Sequence, residues 1–500
     1  MDGARQLTRG WGRAYGVESN PALFLDEWSQ MANLWGELRR RNVVRVAIAV
    51  VSWPVLRLTD SCKSLLSLPA WLGGVVVVIL LPVSLAAATD DIRANPDRME
   101  QNIKALSAFG ANADGGVDRL AFGAADLAGR AYIMDLMREA GLSVRLDTAG
   151  NIIGRREGIE PDLPVIMFGS HIDSVPGGGN YDGDVGVIGA IEVIQLMQDN
   201  GIRTRHPLEI VSFTDEEGGL IGSRAMIGDV DDRTLSVVSH AGMTIGAGIS
   251  AVGGDPNRLD LAERQPGELK AFIELHIEQG AFLDEENIDI GVVEGIVGIR
   301  WWDVTIEGFA NHAGTTPMDR RWDAMVSAAE YILAVNQVAT GMPGGQVATV
   351  GRIHAAPGAP NVIPGEVVLS LEIRDLSAEK IQLVFDEISA AAERIADERS
   401  TPIRHAEIDV ASPPAPTNEQ MRRIIAAAAG DLGLSFKFMP SGAGHDAQDM
   451  TRIAPTGMIF VPSVKGISHS PKEFTSAQDM ANGASVLLRT VLEIDGGALE

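Results

Sequence analysis

Short β-prone runs that end on metal-binding side chains constrain this chain more than any other feature. The runs at residues 165–168, 208–213 and 272–277 are mostly apolar, and His171, the pair Glu216-Glu217 and His276 stand at or just beyond their ends. Helical spacing lies around them. Met99, Ile103, Leu106 and Phe109 recur on one face, residues 127–140 repeat that face until Gly141, and another helix is expected over 187–198. Alternating strands and helices predict an α/β fold, a mostly parallel sheet with flanking helices, in which binding groups gather past the carboxyl ends of strands. Three segments distant in sequence would then share one site.

From about Arg300 the period changes. Residues 301–308 and 367–373 alternate like half-buried strands, with helices expected over 323–338 and 378–397. A smaller α+β insert follows from this, and 411–416, with three prolines, reads as a linker back to the main domain and its helix at 420–429 and strand at 455–461. The expected division is an N-terminal extension at 1–98, the main domain at 99–299 and 412–500, and the insert at 300–411. Five hundred residues exceed one ordinary core, so more than one compact unit is required.

The extension has its own character. No charged side chain lies between Lys63 and Asp90, and a small-residue exit at Ala86, Ala87 and Ala88 follows an apolar stretch. Residues 64–88 predict a secretory signal cleaved after Ala88, which would make the chain periplasmic or secreted. A retained membrane anchor is the alternative, and the apolar run at 43–56 behind Arg39-Arg40-Arg41 leaves a membrane hairpin open. Translation starting nearer residue 60 would explain a signal so far from Met1, and without the extension the protein would be cytoplasmic. Cys62 is the sole cysteine, which excludes an intrachain disulfide framework and a thiolate metal cage. The net charge of -26 argues against nucleic-acid partners. Any metal must rest on His, Asp and Glu.

Several residues fit that need. Asp173, two residues past His171, is placed to accept the second ring hydrogen and fix its tautomer. Asp182 sits beside Gly183 on a turn that lets a carboxylate approach closely, and no Gly-Lys-Ser/Thr follows the triple glycine to make a phosphate loop. Glu216 and Glu217 would point apart at a strand end, so one can ligate while the other faces water. His312, His445 and His469 stand among small residues that leave room for a substrate, whereas His206, His240, His354 and His405 read as ordinary polar residues.

Five motifs carry a resemblance: GSHIDSVPGGG at 169–179, ELHIEQG at 274–280, NHAGTTPM at 311–318, NVIPGE at 361–366 and SGAGHDAQ at 441–448. From about Met99 onward the chain resembles M20-type metallohydrolases, in particular the amidase and carbamoylase branch. That resemblance implies two divalent cations per subunit, zinc first, with manganese, cobalt or nickel also accepted by such ligands. By similarity one would be held by His171, Asp182 and His276 and the other by Asp182, Glu217 and His469, with Glu216 as general base. It implies that the insert is a lid and dimerisation domain whose His312 reaches the partner subunit's site, and that Gln279, Asn361 and Arg374 contact the substrate, Arg374 through its carboxylate. His445 is given a substrate-side role. The implied reaction is hydrolysis of a linear C–N bond in an N-carbamoyl-L-amino acid, with allantoate or ureidoglycolate, or an acyl amino acid or dipeptide, as alternatives. An inactive binding protein of the cell envelope is the reading from another class, and bound metal and chelator sensitivity separate it from an enzyme.

Overall fold

The computed structural model describes residues 92–499, apart from the side chains of 409–411; the expected signal or anchor at 64–88 and Cys62 lie outside them. Asn95 starts the first helix. Its side chain accepts the amides of Asp97 and Arg98, and Pro96 follows where a missing N–H costs nothing, giving α1 (Pro96–Ser107), with Met99, Ile103 and Leu106 buried and Phe109 past its end. The Ala94 amide donates to Ser485 Oγ at 2.9 Å, so the main domain's packing begins upstream of residue 99.

Next come α2 (Ala124–Glu139), β1 (Ser143–Leu146), β2 (Ile152–Arg156), β3 (Val165–His171), α3 (Asp184–Asp199), β4 (Leu208–Phe213), β5 (Leu269–Ile277) and β6 (Ile290–Ile296). Only Val297 then separates β6 from β7 (Gly298–Glu307), where the insert opens. Its remaining elements are β8 (Asn311–His312), α4 (Ala324–Gly341), β9 (Val347–Thr349), β10 (Ile353–Ala356), β11 (Val362–Ile363), β12 (Glu366–Asp375), α5 (Ala378–Arg399) and β13 (Ile403–Ser412). The chain returns through β14 (Ala415–Pro416), α6 (Glu419–Asp431), β15 (Phe436–Ser441), β16 (Thr456–Val461) and α7 (Ala477–Asp495).

Nine strands build the main sheet in the order β1-β2-β4-β3-β5-β16-β6-β14, with β15 beside β6. Its centre, β4-β3-β5-β16, is parallel, while β1, β2 and β14 join antiparallel at the edges. Every residue of β3, β4 and β16 is buried, as expected of strands covered on both faces. Leu275 and Ile277 enter one core with Met99, Ile191 and Leu487, and Phe272 and Phe460 enter the other with Phe213. The parallel centre thus delivers the ends of β3, β4 and β5 to one place.

Residues 411–416 are not a free linker. β13 runs to Ser412, and Ala415 and Pro416 pair with Ile296 and Gly295, Pro416 being tolerated because β14 is an edge strand. The insert's five-stranded sheet has the order β10-β12-β7-β13, with β9 beside β12. Leu369, Leu371 and Ile373 face the helices together with Trp302, Val304 and Ile306, and Trp302 stacks on Phe385 at 4.4 Å. The opposite side of β12 presents Glu372 and Arg374, half-buried. A separate ribbon pairs β8 with β11. Among the described residues no helix is long and apolar enough to cross a membrane.

Candidate active site

The ends of β3 and β5 bring His171 and His276 together, their rings stacked with centroids 5.8 Å apart. Each Nδ1 lies at a backbone carbonyl, Asp173 at 3.0 Å and Ile277 at 2.9 Å. A carbonyl only accepts, so Nδ1 carries the hydrogen and each Nε2 keeps a lone pair able to ligate, that of His276 also facing the Gly183 amide at 3.2 Å. His276 Nε2 is 3.0 Å and His171 Nε2 3.9 Å from Asp182 Oδ1. The other oxygen, Oδ2, is 3.1 Å from His469 Nε2, which lies 3.6 Å from Glu217 Oε2. Asp182 therefore belongs to two groups, His171–Asp182–His276 and Asp182–Glu217–His469, each with its ligand atoms within 4.8 Å of one another. Glu274, His276 and His445 meet the same criterion, but Glu274 already accepts from Ser170 Oγ and the Ala447 amide.

The donor set attracts positive charge. Burial alone would lower the His276 imidazole, yet the adjacent Asp182 carboxylate raises it to about 9. His469 is also raised to about 9, first by its hydrogen bond to Asp182. Asp182 itself, although buried, is held well below the usual carboxylate range by His276 and His469. Glu217 goes the other way, to about 8, through burial and the charge of Asp182. His171, fully enclosed, falls to about 4. Two buried oxygens beside the site, Glu217 Oε1 and Gln279 Oε1, have no hydrogen-bond partner among the described residues. Acceptors converging on one another with unmet capacity suit hard or borderline divalent cations.

Glu216 stands in this cluster without belonging to either ligand group. Its Oε2 is 3.7 Å from His171 Nε2, and burial, then the nearby Asp446, Glu217, Asp173 and Asp182, push its carboxyl well above the usual range. The divergence of Glu216 and Glu217 comes from a turn and not from a strand pleat: β4 stops at Phe213, and Asp215 follows at φ 55°. Asp173 fixes that turn. Its carboxylate accepts the Glu216 amide at 3.3 Å and the Glu217 amide at 3.1 Å. The expected hydrogen bond from the His171 ring to that carboxylate is replaced by one to the Asp173 carbonyl, the carboxylate oxygen being 3.7 Å away. Asp173 supports the site by holding the glutamates.

A cavity of about 190 Å³ opens over these groups, lined by Asp182, Glu216, Glu217, Leu220, His276, Gln279, Ala443, Gly444, His445 and His469. Gln279 Nε2 donates to Asp182 Oδ2 at 2.7 Å, which places the amide on the shared carboxylate. His445 is buried, shares a 2.9 Å hydrogen bond with Ser441 Oγ and packs edge-on against His276 at 4.5 Å. Arg374 reaches the cavity's edge from the insert. Its Nη1 donates to the Gly442 carbonyl at 2.7 Å, while Nε and Nη2 grip Glu372, which also accepts from Trp301 Nε1 at 2.6 Å. His312 and Asn361 are brought together on the ribbon, where the Ala313 amide donates to the Asn361 carbonyl, but neither lines the cavity. The His312 ring is exposed, and its Nδ1 accepts the amides of Gly314 and Thr315, leaving Nε2 pointing away from that loop.

Sequence reasoning missed Glu473, a buried acid that accepts the Tyr181 and Asp182 amides, and Glu372. Their signal is tertiary. A backbone signature does exist, however: Asp215, Gln279 and His469 all take left-handed φ values, 55°, 60° and 52°, beside the same cavity. Non-glycine residues in that region are uncommon and cluster at functional sites. Gly183, at φ 67°, is required for another reason, since a Cβ there would lie 2.5 Å from the His171 ring.

Residues 167–493 match the profile described as Peptidase family M20/M25/M40. The chain belongs to that family. It is 42% identical over 406 residues to the N-carbamoyl-L-amino acid amidohydrolase of Geobacillus stearothermophilus, covering 80% of this chain and 99% of that one. It is 39% identical to the ureidoglycolate hydrolase of Arabidopsis thaliana, over 79% of this chain and 86% of the relative. A hydantoinase/carbamoylase family amidase from Burkholderia ambifaria superposes with a TM-score of 0.75 at 32% identity, over 80% of this chain and 97% of that one. M20 hydrolases are metal-dependent, and this M20 member holds groups of His, Asp and Glu able to bind metal. The five motifs between residues 169 and 448 all lie within the matched span.

Proposed function

We propose that this chain hydrolyses the linear C–N bond of a carboxylate-bearing ureido compound, an N-carbamoyl-L-amino acid, with two divalent cations per subunit. One observation carries the reading: Asp182 is shared between two ligand groups, and Glu216, a member of neither, stands 3.7 Å from His171 over the same cavity. His171, Asp182 and His276 would hold one cation, and Asp182, Glu217 and His469 the other. Bound there, the cations supply Lewis acidity that polarises the substrate carbonyl and acidifies water.

The chain's own residues do the rest. Glu216 takes the proton of the attacking water and passes it to the leaving nitrogen as the carbamoyl carbon–nitrogen bond breaks. The amino acid leaves with that proton, and the carbamate left behind decomposes to ammonia and carbon dioxide. Arg374 retains N–H donors on both terminal nitrogens beyond those given to Glu372 and Gly442, and these bind the substrate carboxylate. His312 donates to the developing oxyanion from the partner subunit. Exposed apolar side chains of the insert support pairing through it: Phe309 and Trp322 lie edge-to-face at 6.0 Å, and Met318, Met325 and Leu333 are exposed as well. Asn361 and Gln279 would complete the substrate contacts, with His445 at the cavity wall.

Zinc or manganese suits this ligand set. A panel of N-carbamoyl amino acids, ureidoglycolate, allantoate, acyl amino acids and dipeptides, run with either metal, tests the reading. Turnover confined to dipeptides or acyl amino acids would remove the ureido substrate. The likeness to a ureidoglycolate hydrolase makes that compound the second candidate.

A further inference from the structure

We propose that Glu473 is a positioning residue that locks the loop carrying Asp182 to the loop carrying His469, and so sets the affinity of the Asp182–Glu217–His469 group for its cation. This rests on the two-cation reading above. Glu473 is 3% exposed. Its Oε1 accepts the amides of Tyr181 at 2.8 Å and Asp182 at 3.0 Å, and its Oε2 accepts from Ser468 Oγ at 2.9 Å. One carboxylate thereby ties together segments 291 positions apart. Tyr181 and Phe474, the adjacent residues, add an edge-to-face contact at 5.6 Å.

The turn is built around that carboxylate. A Cβ at Gly179 would lie 2.1 Å from Glu473 Oε1, so no larger residue fits there while the acid keeps its place. Ser468 adds a division of labour. Its hydroxyl has one hydrogen and two acceptors within reach, Glu473 Oε2 at 2.9 Å and Asp182 Oδ2 at 3.2 Å. The shorter contact takes the hydrogen, so Asp182 Oδ2 is spared a further donor beyond the Gln279 amide and faces His469 Nε2 at 3.1 Å.

The two ligand groups do not depend on this lock equally. His171 and His276 sit on strand ends and are oriented by backbone carbonyls of their own segments. His469 is half-exposed on a loop at φ 52°, and its neighbour Ser468 carries the tie to Glu473. Losing the tie should loosen the His469 side most, the other group feeling it only through the shared Asp182. Outer partners of this kind typically change metal affinity by about 10- to 100-fold.

The test uses the full chain, stripped of metal and titrated with zinc or manganese by calorimetry or against a chelating indicator. Glu473→Gln keeps the volume and one acceptor oxygen but puts a donor against Ser468. Wild type is expected to bind two cations, and the variant to show one site weakened roughly 10- to 100-fold with the other weakened clearly less. Ser468→Ala, which leaves the Tyr181 and Asp182 amides capped, should give a smaller loss at the same site. Metal-free melting of both variants should stay close to wild type. Wild-type affinity at both sites in Glu473→Gln, or equal weakening of both with a lowered metal-free melting temperature, overturns the proposal. A wild-type chain that binds no cation overturns the two-cation reading instead.

Discussion

In the main sheet, β3, β4 and β16 are buried at every position, and the groups of the candidate site sit where β3 and β5 end. In the insert, β12 alternates buried Leu369, Leu371 and Ile373 with half-exposed Ser370, Glu372 and Arg374. A sheet covered on both faces can offer chemistry only at its edges and ends, where turns expose short acids and imidazoles in a low-dielectric setting. A sheet with one open face can present long side chains along a strand. The first arrangement suits fixed, strongly perturbed ligands, and the second suits Arg374, whose reach to Gly442 connects the insert to the cavity's edge.

On the proposed reading the base and the metal ligands belong to the main domain while the insert lends Arg374 and His312, a division that can be broken in order of effect. Glu216→Gln should cut kcat by about 10²- to 10⁴-fold while bound metal, measured by elemental analysis, is retained, because a base is lost and no ligand is. Loss of both metals in that variant would erase the distinction between Glu216 and Glu217. Next, chains bearing His312→Ala mixed with chains bearing Glu216→Gln should recover up to about one quarter of wild-type activity on random pairing, since each mixed dimer keeps one complete site. No recovery in verified mixed dimers would confine the His312 contribution to its own subunit.

Smaller effects sharpen the insert's side. Arg374→Ala should raise KM for carboxylate substrates roughly 10- to 100-fold, corresponding to about 1.5–3 kcal/mol for hydrogen bonds to a charged group. Unchanged KM would take Arg374 out of the substrate pocket. The smallest effect concerns His405, whose Nε2 lies 3.0 Å from the Tyr331 hydroxyl and whose pKa is lowered by burial. The unfolded chain then binds a proton that the folded one refuses, so this group's contribution falls as pH drops through about 6.5 and levels off below the folded value. Urea midpoints at pH 8 and pH 5.5 should differ less in His405→Gln than in wild type; equal pH dependence would place the titration elsewhere.

Much of this was legible in the sequence, for identifiable reasons. The aliphatic runs of β3, β4 and β5 announce buried strands, and His171 and His276 stand at their ends because a parallel sheet gathers such ends. β12 was legible by alternation, since one face is covered and the other open. β2, with Gly154 and two arginines in five residues, and β15, with Lys437 and Pro440, lack a clean run and are strands through their partners. The same holds for 415–416, which reads as a proline linker until β6 is beside it. Glu473 was invisible because nothing local distinguishes an acid that caps amides 291 positions away. The Asp173 carboxylate was assigned to the wrong donor because spacing gives proximity to His171 and not the direction of its oxygens.

Asp215, Gln279 and His469 hold a backbone shape that glycine adopts without strain, at a cost of order 1–3 kcal/mol each for other residues. Anyone raising the heat tolerance of this protein by relieving strained positions with glycine would find these three among the most inviting. On the proposed reading they are also the places where the change would delete a ligand, an amide resting on the shared carboxylate, or the residue that precedes the base. A stabilisation campaign should leave all three untouched and look for its gains elsewhere in the chain.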